Sequence, residues 1–164
     1  MKILKVYEAN GTPHDVMVDD DMFAELDSYN WIWRDGYAVR KLSHGKYYQL
    51  HRQVGGAAFK EQIIIDHIDG DHHNNQKANL RRADRFQNQQ NRKTNEGNTL
   101  PKGIRRLPNG KYNCRVQGWN KRHVFGAYNT IEEAVEARNE FAAKLHGEFM
   151  RPAHLIEEVN EATA

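Results

Sequence analysis

Four polar side chains in the middle of the chain have the types that phosphodiester hydrolysis needs: Asp66, His67, Asn79 and Asn88. A neutral imidazole accepts a proton from water near neutral pH, which makes His67 a candidate general base. Carboxylate and amide oxygens bind hard divalent cations, which makes Asp66 and Asn88 candidate ligands of Mg²⁺. A base for the water and a cation for the charge on the leaving oxygen together suit cleavage of a phosphodiester.

Two other metal sites compete with this hypothesis. A zinc site of His67, His72 and His73 would need two adjacent histidines to reach one ion, and no cysteine lies nearby. A calcium loop needs oxygen donors at alternate positions before its glycine, and the aspartates around His67 do not follow that pattern. Each residue taken alone also has a structural interpretation. Their combination and spacing favour catalysis.

The same residues belong to a series of motifs that resembles the HNH endonuclease family. His67 and Asn79 are twelve residues apart, and Asn79 and Asn88 are nine apart. This spacing is similar to that of the phage and intron-encoded branch, in which the last motif residue is Asn instead of His. In chain order the motif elements are Leu50-His51-Arg52, Ile65-Asp66-His67-Ile68-Asp69-Gly70-Asp71, Asn75, Ala78-Asn79-Leu80-Arg81 and Gln87-Asn88-Gln89-Gln90-Asn91-Arg92.

The resemblance implies a unit of two strands and one helix that binds one metal ion. His67 would be the general base that activates water. Asp66 and Asn88 would be the two protein ligands of Mg²⁺ or Mn²⁺. Asn79 would orient the loop or the histidine through hydrogen bonds.

Four further residues of the resemblance have less defined roles. His51 and Arg52 match a His-Arg pair of this branch, and they would contact phosphate or support a loop. Asn91 and Arg92 follow Asn88 by three and four residues, so they share its helix face. From that face they could touch the phosphate backbone of DNA.

The surrounding pattern predicts the elements that position these residues. Residues 63–65 predict a buried strand that leads into the Asp-His pair. A polar loop follows over residues 69–75, and residues 78–80 predict a second short strand. Asp84 is placed to cap a helix over residues 85–92.

The first sixty residues are rich in aromatic and β-branched side chains, and they predict a β-rich segment. Residues 2–8 predict a strand, and residues 22–26 a short helix. Two hairpins are predicted, with turns at Asp35-Gly36 and His44-Gly45. The two tryptophans of the first hairpin are expected in the core because aromatic side chains most often serve packing.

Residues 102–150 predict a three-stranded antiparallel sheet packed on one helix. The strands are predicted at residues 103–107, 112–117 and 122–128. Thr130 and Glu133 form a capping box that begins the helix, and Gly147 is placed to end it. The residues expected on its buried face are Ile131, Ala134, Val135, Phe141, Ala142 and Leu145.

Alternation along residues 112–117 gives this sheet two different faces. Asn113, Arg115 and Gln117 share one face, whereas Cys114 lies on the face toward the helix and is expected to be a small core residue. A basic, amide-bearing sheet face can lie in a DNA major groove. There Arg hydrogen-bonds guanine, and Asn or Gln hydrogen-bonds adenine.

This unit resembles the three-stranded DNA-binding domain of plant ethylene-response transcription factors. The matching segments are Lys102-Gly103-Ile104-Arg105, Gly110-Lys111-Tyr112, Phe125-Gly126-Ala127-Tyr128, Thr130-Ile131-Glu132-Glu133-Ala134 and Lys144-Leu145-His146-Gly147-Glu148-Phe149. The DNA contacts that the resemblance implies are Arg105, Lys111, Arg115, Gln117 and Arg122. Tyr112 and Val124 stand where the plant domain has tryptophan, so the plant target sequence does not carry over.

The charge of the chain is unevenly distributed. The whole chain has 24 basic and 22 acidic side chains and a net charge of +2, but residues 76–126 alone carry +11. The flanking segments 1–75 and 127–164 carry −4 and −5. A central stretch this basic indicates a polyanionic partner and predicts that binding depends steeply on salt. The alternative is a solvated basic surface.

Composition excludes several other classes. No apolar run approaches the ~20 residues of a membrane-spanning helix, and the N-terminal residues are too polar for a signal peptide. The single cysteine excludes an internal disulfide framework. The sequence therefore predicts an α+β protein. Its parts are a β-rich and HNH segment (1–93, motif core 50–93), a linker (94–101), an ethylene-response-factor-like domain (102–150) and an acidic tail (151–164).

The combined prediction is a homing-type HNH endonuclease that nicks or cuts double-stranded DNA with Mg²⁺ or Mn²⁺. No membrane and no small-molecule substrate is expected. A monomer is favoured over a dimer, in the cytoplasm of a prokaryotic or phage-infected cell. One alternative is a DNA-binding regulator with a degenerate nuclease centre. An RNA-directed nuclease is a weaker one, because the sheet face lacks the stacking aromatic residues of single-strand RNA modules.

Overall fold

A computed structural model of the chain describes residues 1–91 and 99–154, with the exception of the His44 side chain. Its contacts divide the chain into two compact units, Met1–Asn88 and Gln89–Ala164, which are considered separately below. Both contain strands and helices, so the predicted α+β class is confirmed. Across these described ranges, no helix is long and apolar enough to cross a membrane.

The first unit is built on a five-stranded sheet with the order β2-β1-β3-β4-β5. Its strands are β1 (Lys2–Tyr7), β2 (Pro13–Val18), β3 (Trp31–Arg34), β4 (Tyr37–Lys41) and β5 (Tyr47–Gln49), and its helices are α1 (Asp20–Asp27) and α2 (Leu50–Val54). The core side chains of the sheet, among them Val6, Val16 and Trp31, pack against Leu26 of α1 and Leu50 of α2. Burial of these apolar side chains is the main force that holds the sheet and helices together.

Most predicted elements of this segment are present. Both hairpins form, and Asp35 and Gly36 each have positive φ, as a two-residue turn between twisted strands requires. Trp31 and Trp33 are buried as predicted. Strand β2 was not predicted, and Leu50 begins a helix instead of continuing the second hairpin.

A two-stranded antiparallel sheet and a helix follow: β6 (Ile64–His67), β7 (Leu80–Ala83) and α3 (Arg85–Gln90). The predicted second strand at residues 78–80 was placed too early. Residues 77–79 form a 3₁₀ turn because the Asn79 side chain is hydrogen-bonded to the preceding loop, and the strand begins at Leu80. Asp84 caps α3 as predicted, since its carboxylate accepts from the Gln87 backbone N–H at 2.8 Å. Arg92 and most of the predicted linker lie outside the described residues.

The long loop between β6 and β7 is attached to the edge of the five-stranded sheet. The backbone N–H of Met17 on β2 donates to the His73 carbonyl, and the Asn75 N–H donates to the Met17 carbonyl, both at 2.8 Å. The rings of His14 and His73 each stack on Trp33, with centroids 4.3 and 4.4 Å away. The N-terminal sheet thereby fixes the loop that follows His67.

The second unit is a three-stranded antiparallel sheet, β8 (Ile104–Arg106), β9 (Tyr112–Gln117) and β10 (Arg122–Tyr128), covered by α4 (Ile131–His146). Cys114 on β9 is fully buried against Ala134 and Val135 of α4, as predicted. The Thr130 hydroxyl caps the helix through the Glu133 N–H, and Gly147 ends it with positive φ. The prediction of which α4 residues are buried was wrong at Leu145 and Arg138.

The predicted face of α4 placed Leu145 in the core, but its side chain is 39% exposed. Arg138, which was not predicted there, is buried instead. The difference arises because the backbone carbonyls of the segment after α4 accept hydrogen bonds from the Arg138 guanidinium and the Asn139 amide. That segment covers one side of the helix end and leaves the other side open.

Candidate functional site

The Asp-His pair lies at the end of β6, where both side chains are buried. His67 is the last residue of the strand and pairs with Leu80, the first residue of β7. The side chains of Asp66 and His67 have different surroundings, as expected for neighbours on a strand. Asp66 contacts β7, whereas His67 contacts the loop and α2.

Asp66 forms a buried ion pair with Arg81. These residues face each other across β6 and β7, and the Arg81 Nε and Nη2 donate to Asp66 Oδ2 at 3.1 and 2.9 Å. Their side chains are only 8% and 10% exposed. The guanidinium therefore compensates a carboxylate that burial alone would penalise heavily. Arg81 belongs to the sequence motif, but the residues around it in the sequence did not indicate that it pairs with Asp66.

The orientation of the His67 ring is set by Asn75. The Asn75 side-chain nitrogen donates to the His72 carbonyl at 2.9 Å, which turns its amide oxygen toward His67 Nε2 at 3.3 Å. Since that oxygen can only accept, Nε2 carries the hydrogen and Nδ1 carries the lone pair of the neutral ring. Burial lowers the pKa of His67 and outweighs the Asn75 hydrogen bond, which raises it. The lowered pKa favours the neutral ring.

Asn79 holds the loop and not the histidine. Its side-chain oxygen accepts from the Asp69 N–H at 3.2 Å, and its nitrogen donates to the Asp69 carboxylate and the Asn74 carbonyl at 2.9 and 2.8 Å. The resemblance left open which of the two Asn79 would orient. The structure distributes these tasks between Asn79 for the loop and Asn75 for the ring.

His51 lies on α2 and packs directly against the site. Its ring centroid is 5.0 Å from that of His67 and 5.2 Å from that of Tyr37. Burial lowers the pKa of His51 to about 3, and the nearby His67 and His72 act in the same direction. A buried, neutral imidazole in this position supports the ring of the candidate base.

Arg52 has a position that favours loop support over phosphate contact. Its guanidinium donates to the backbone carbonyls of Ile63, Ala58 and Glu61, which precede β6. Asn91 is buried, and its backbone carbonyl accepts from Arg151. Both observations agree with structural roles for these two residues.

The two histidines of the alternative zinc site face different partners. His72 Nδ1 donates to the Gly36 carbonyl at 3.0 Å, and its ring stacks on Tyr37. His73 lies 3.1 Å from the Asp71 carboxylate and 3.2 Å from His14. Each has its own protein contacts, so the pair has no shared direction toward one ion.

The donors available for a divalent cation are oxygen atoms. Within residues 1–91 and 99–154, no group of three or more His, Cys, Asp or Glu side chains could hold a metal. Asp66 and Asn88, a half-buried residue of α3, offer one carboxylate and one amide oxygen. This donor set fits Mg²⁺ or Mn²⁺ if water and DNA phosphate complete the shell, because both ions favour oxygen ligands and keep several waters.

The polar face of the second unit is assembled by its strand register. Arg105 pairs with Asn113, and Gln117 pairs with Arg122, so these side chains lie beside each other. The remaining members of the face are Arg115 and Val124, also a cross-strand pair, and Val124 is 54% exposed. Lys111 is exposed just before β9. The arrangement agrees with a face that contacts a polyanion.

One exposed aromatic residue near this face was missed. Trp119 lies in the turn between β9 and β10 and is 67% exposed, between the strand ends that carry Gln117 and Arg122. A tryptophan in a polar turn could have been noticed in the sequence. Asn75 and Arg81 lay within the motif, but their partners depend on the fold.

Together, the fold and the buried Asp-His pair define an α+β protein with a candidate hydrolytic centre. The loop beside this centre is held by hydrogen bonds from Asn79. The chain is 31% identical over 137 residues to a protein of Acanthamoeba polyphaga mimivirus that is named an uncharacterized HNH endonuclease. The alignment covers 80% of this chain and 71% of the viral protein. The chain thus belongs to the HNH endonuclease family. No protein-family model matches it, and no solved structure matches it significantly.

The low pKa of His51 predicts acid sensitivity. The pKa of His51 is 6.5 in the unfolded chain and about 3 in the folded protein. Between these two pH values the unfolded chain binds a proton at His51 and the folded protein does not, which favours unfolding. Stability from this group is fully present above pH 6.5 and falls by about 1.4 kcal/mol per pH unit below it.

This expectation can be measured by urea unfolding at pH 7 and pH 4.5. The loss of unfolding free energy between these pH values should be smaller in His51→Phe than in wild type by about 2–3 kcal/mol. The exposed His154 provides a control, since His154→Phe should show the wild-type loss. Equal losses in wild type and His51→Phe would contradict the assignment.

Proposed function

We propose that this protein is a metal-dependent endonuclease of the homing type that hydrolyses phosphodiester bonds in double-stranded DNA. The observation that carries the proposal is the His67 ring, which is buried at a strand end beside Asp66 and fixed in one tautomer by Asn75. The Asn75 hydrogen bond assigns the acceptor role to Nδ1, and a general base must have such an acceptor nitrogen.

In this proposal, His67 Nδ1 accepts the proton of a water molecule as that water attacks phosphorus. Asn75 keeps the opposite nitrogen protonated, and Asn79 keeps the loop that carries Asn75 in place. His51 packs against the ring and limits its rotation. The proton therefore moves to a base whose position is set before substrate binds.

The metal would be held by Asp66 and Asn88. When bound, Mg²⁺ or Mn²⁺ supplies positive charge that stabilises the transition state and the leaving oxygen. With two protein donors, binding of the ion should be weak until DNA phosphate contributes to the shell. Arg81 pairs with the Asp66 carboxylate and holds it in position in the meantime.

The second unit would hold the DNA. The residues proposed to contact it are Arg105, Lys111, Arg115, Gln117 and Arg122, and Arg92 remains a proposal for a position outside the described residues. Trp119 projects from the same end of the sheet and is added as a candidate contact. The excess of +11 over residues 76–126 supports this proposal, because clustered basic side chains neutralise DNA phosphates. A monomer acting in the cytoplasm of a prokaryotic or phage-infected cell stays part of the proposal.

A plasmid assay tests the proposal. Supercoiled plasmids carrying a random insert library are incubated with the protein and Mg²⁺ or Mn²⁺, with EDTA as the control, and the cleaved ends are sequenced. Nicked or linear product that requires the metal and has recurrent ends supports the endonuclease. Tight binding to the selected inserts without any cleavage would favour the regulator with a degenerate centre.

A further inference from the structure

The second unit contains a cavity of about 290 Å³ whose charged lining is entirely positive. It lies where the residues just before β8, the middle of α4, the end of β9 and the start of β10 meet. Four of its lining side chains are cationic: Lys102, Arg115, Arg122 and Arg138. Among the lining residues that the structure describes, none is Asp or Glu.

Arg138 is the most deeply buried of these cations, with 4% of its surface exposed. Its Nη1 donates to the Arg151 carbonyl and to Asn139 Oδ1, both at 2.9 Å, which anchors the guanidinium at one end. Within residues 1–91 and 99–154, the buried Nε atoms of Arg138 and Arg115 have no hydrogen-bond partner. Both guanidinium groups line the same cavity, and a bound anion would compensate the positive charge that the fold buries there.

Gly103 provides the space beside Arg138. Its φ is +77°, and a Cβ added there would lie 3.4 Å from Arg138 Nε and 2.5 Å from the Arg115 carbonyl oxygen. A side chain at this position would therefore collide with the backbone of β9 and crowd the guanidinium. Glycine leaves the approach to Arg138 open.

Lys102 is held close to the same charges. Burial lowers its pKa to about 8, and the like charges of Arg138 and Arg151 act in the same direction. Its Nζ donates to the Gln90 carbonyl at 2.7 Å. The fold thus brings together cations that repel one another, an arrangement that bound negative charge would stabilise.

We propose that this cavity binds a phosphate group. Guanidinium groups match the geometry of phosphate oxygens, and an ammonium adds a point charge. The phosphate comes from the DNA backbone, or from a free phosphate or nucleotide. The first source rests on the proposed function and deepens it, because Arg115 and Arg122 also belong to the polar sheet face. The second source is independent of DNA cleavage.

The first test measures inorganic phosphate alone. Thermal unfolding of the 164-residue chain is followed in phosphate and in chloride at equal ionic strength and pH 7. Phosphate should raise the melting temperature of wild type above that in chloride and should not do so in Lys102→Met. The control is Lys144→Met, which removes an exposed lysine of α4 and should keep the wild-type response.

A second readout separates a ligand site from a structural role. In chloride, Lys102→Met should melt at or above the wild-type temperature, because the variant removes a buried charge from among like charges. Weaker phosphate binding in a protein that is no less stable identifies Lys102 as a ligand of the anion. A variant that melts lower and shows the full phosphate effect would contradict the proposal.

The second test measures affinity for a short DNA duplex as a function of salt. If the DNA backbone is the source, Lys102→Met weakens binding roughly tenfold at low salt, regardless of sequence, and lowers the salt slope by about one. If the phosphate effect is lost but DNA affinity is unchanged, a free phosphate or nucleotide is the source. The proposal is overturned if phosphate does not raise the melting temperature of wild type and Lys102→Met binds DNA as tightly as wild type does. A phosphate effect in a protein that binds no DNA leaves this site intact and rejects the proposed function.

Discussion

His67→Gln is expected to reduce the rate of DNA cleavage by about 10²–10⁴-fold while leaving DNA affinity unchanged. The variant removes the nitrogen that would accept the proton of water. It leaves the Asp66–Arg81 pair, the Asn79 loop contacts and the basic sheet of the second unit in place. Single-turnover cleavage of a bound, identified target separates the chemical step from binding.

Glutamine is preferred at this position because His67 is packed among other rings. Its neighbours His51 and His72 lie 5.0 and 5.2 Å away between centroids, so alanine would leave a cavity. That cavity offers an additional test, since imidazole added to His67→Ala should partly restore cleavage if the missing group is a base. His154→Gln, at an exposed histidine, is the matched control and should cleave at the wild-type rate. Wild-type cleavage by His67→Gln would reject the base assignment.

The second large effect is expected at Arg81. Arg81→Met should lower the free energy of unfolding by about 3–5 kcal/mol, because it removes the guanidinium that pairs with the buried Asp66 carboxylate. The two groups are cross-strand neighbours, and both are almost fully buried. Urea unfolding in EDTA measures the change. The double variant Arg81→Met/Asp66→Asn should recover much of the loss, since no uncompensated charge remains.

Arg82 supplies the matched control for this measurement. It is the next residue on β7, its Nη1 lies 3.8 Å from Glu61 Oε1, and more than half of its side chain is exposed. Arg82→Met should change the unfolding free energy by less than about 1 kcal/mol, because exposed ion pairs contribute little. Equal effects at Arg81 and Arg82 would show that the buried pair has no special role.

The same variants test whether Asp66 is a metal ligand. If it is, a divalent cation can replace the missing guanidinium as the compensating charge. Mn²⁺ should therefore raise the unfolding free energy of Arg81→Met by more than that of wild type, and should have no effect on the double variant. A Mn²⁺ effect that persists after Asp66→Asn would place the ion elsewhere.

Several elements could be predicted from local pattern alone. Strand β9 has the predicted bounds because polar and apolar residues alternate along it, and β10 also begins and ends where predicted. The caps at Asp84 and Thr130 were also predicted, since a cap depends on residues only three positions apart. Strand β2 was missed, although its buried residues Val16 and Val18 alternate with partly or fully exposed ones. Its proline and histidine at the start resemble a turn.

The candidate site was only partly predictable. The types and spacing of Asp66, His67, Asn79 and Asn88 predicted the kind of chemistry, because residue types are themselves local information. Their partners were not identifiable in this way. Asn75 and Asn79 are the same residue type in the same loop, yet one contacts the histidine ring and the other ties the loop.

Those assignments depend on contacts between distant parts of the chain. The loop takes its conformation from hydrogen bonds between Met17 and residues 73–75, and the β6–β7 register brings Arg81 opposite Asp66. In the second unit, Arg138 occupies an apolar-looking helix face because the segment after α4 folds back onto it. Residue types and spacing thus predict an HNH motif and a basic sheet. Long-range packing alone decides which side chains hold, neutralise or orient the reactive groups, because burial and partner choice arise only when separate segments meet.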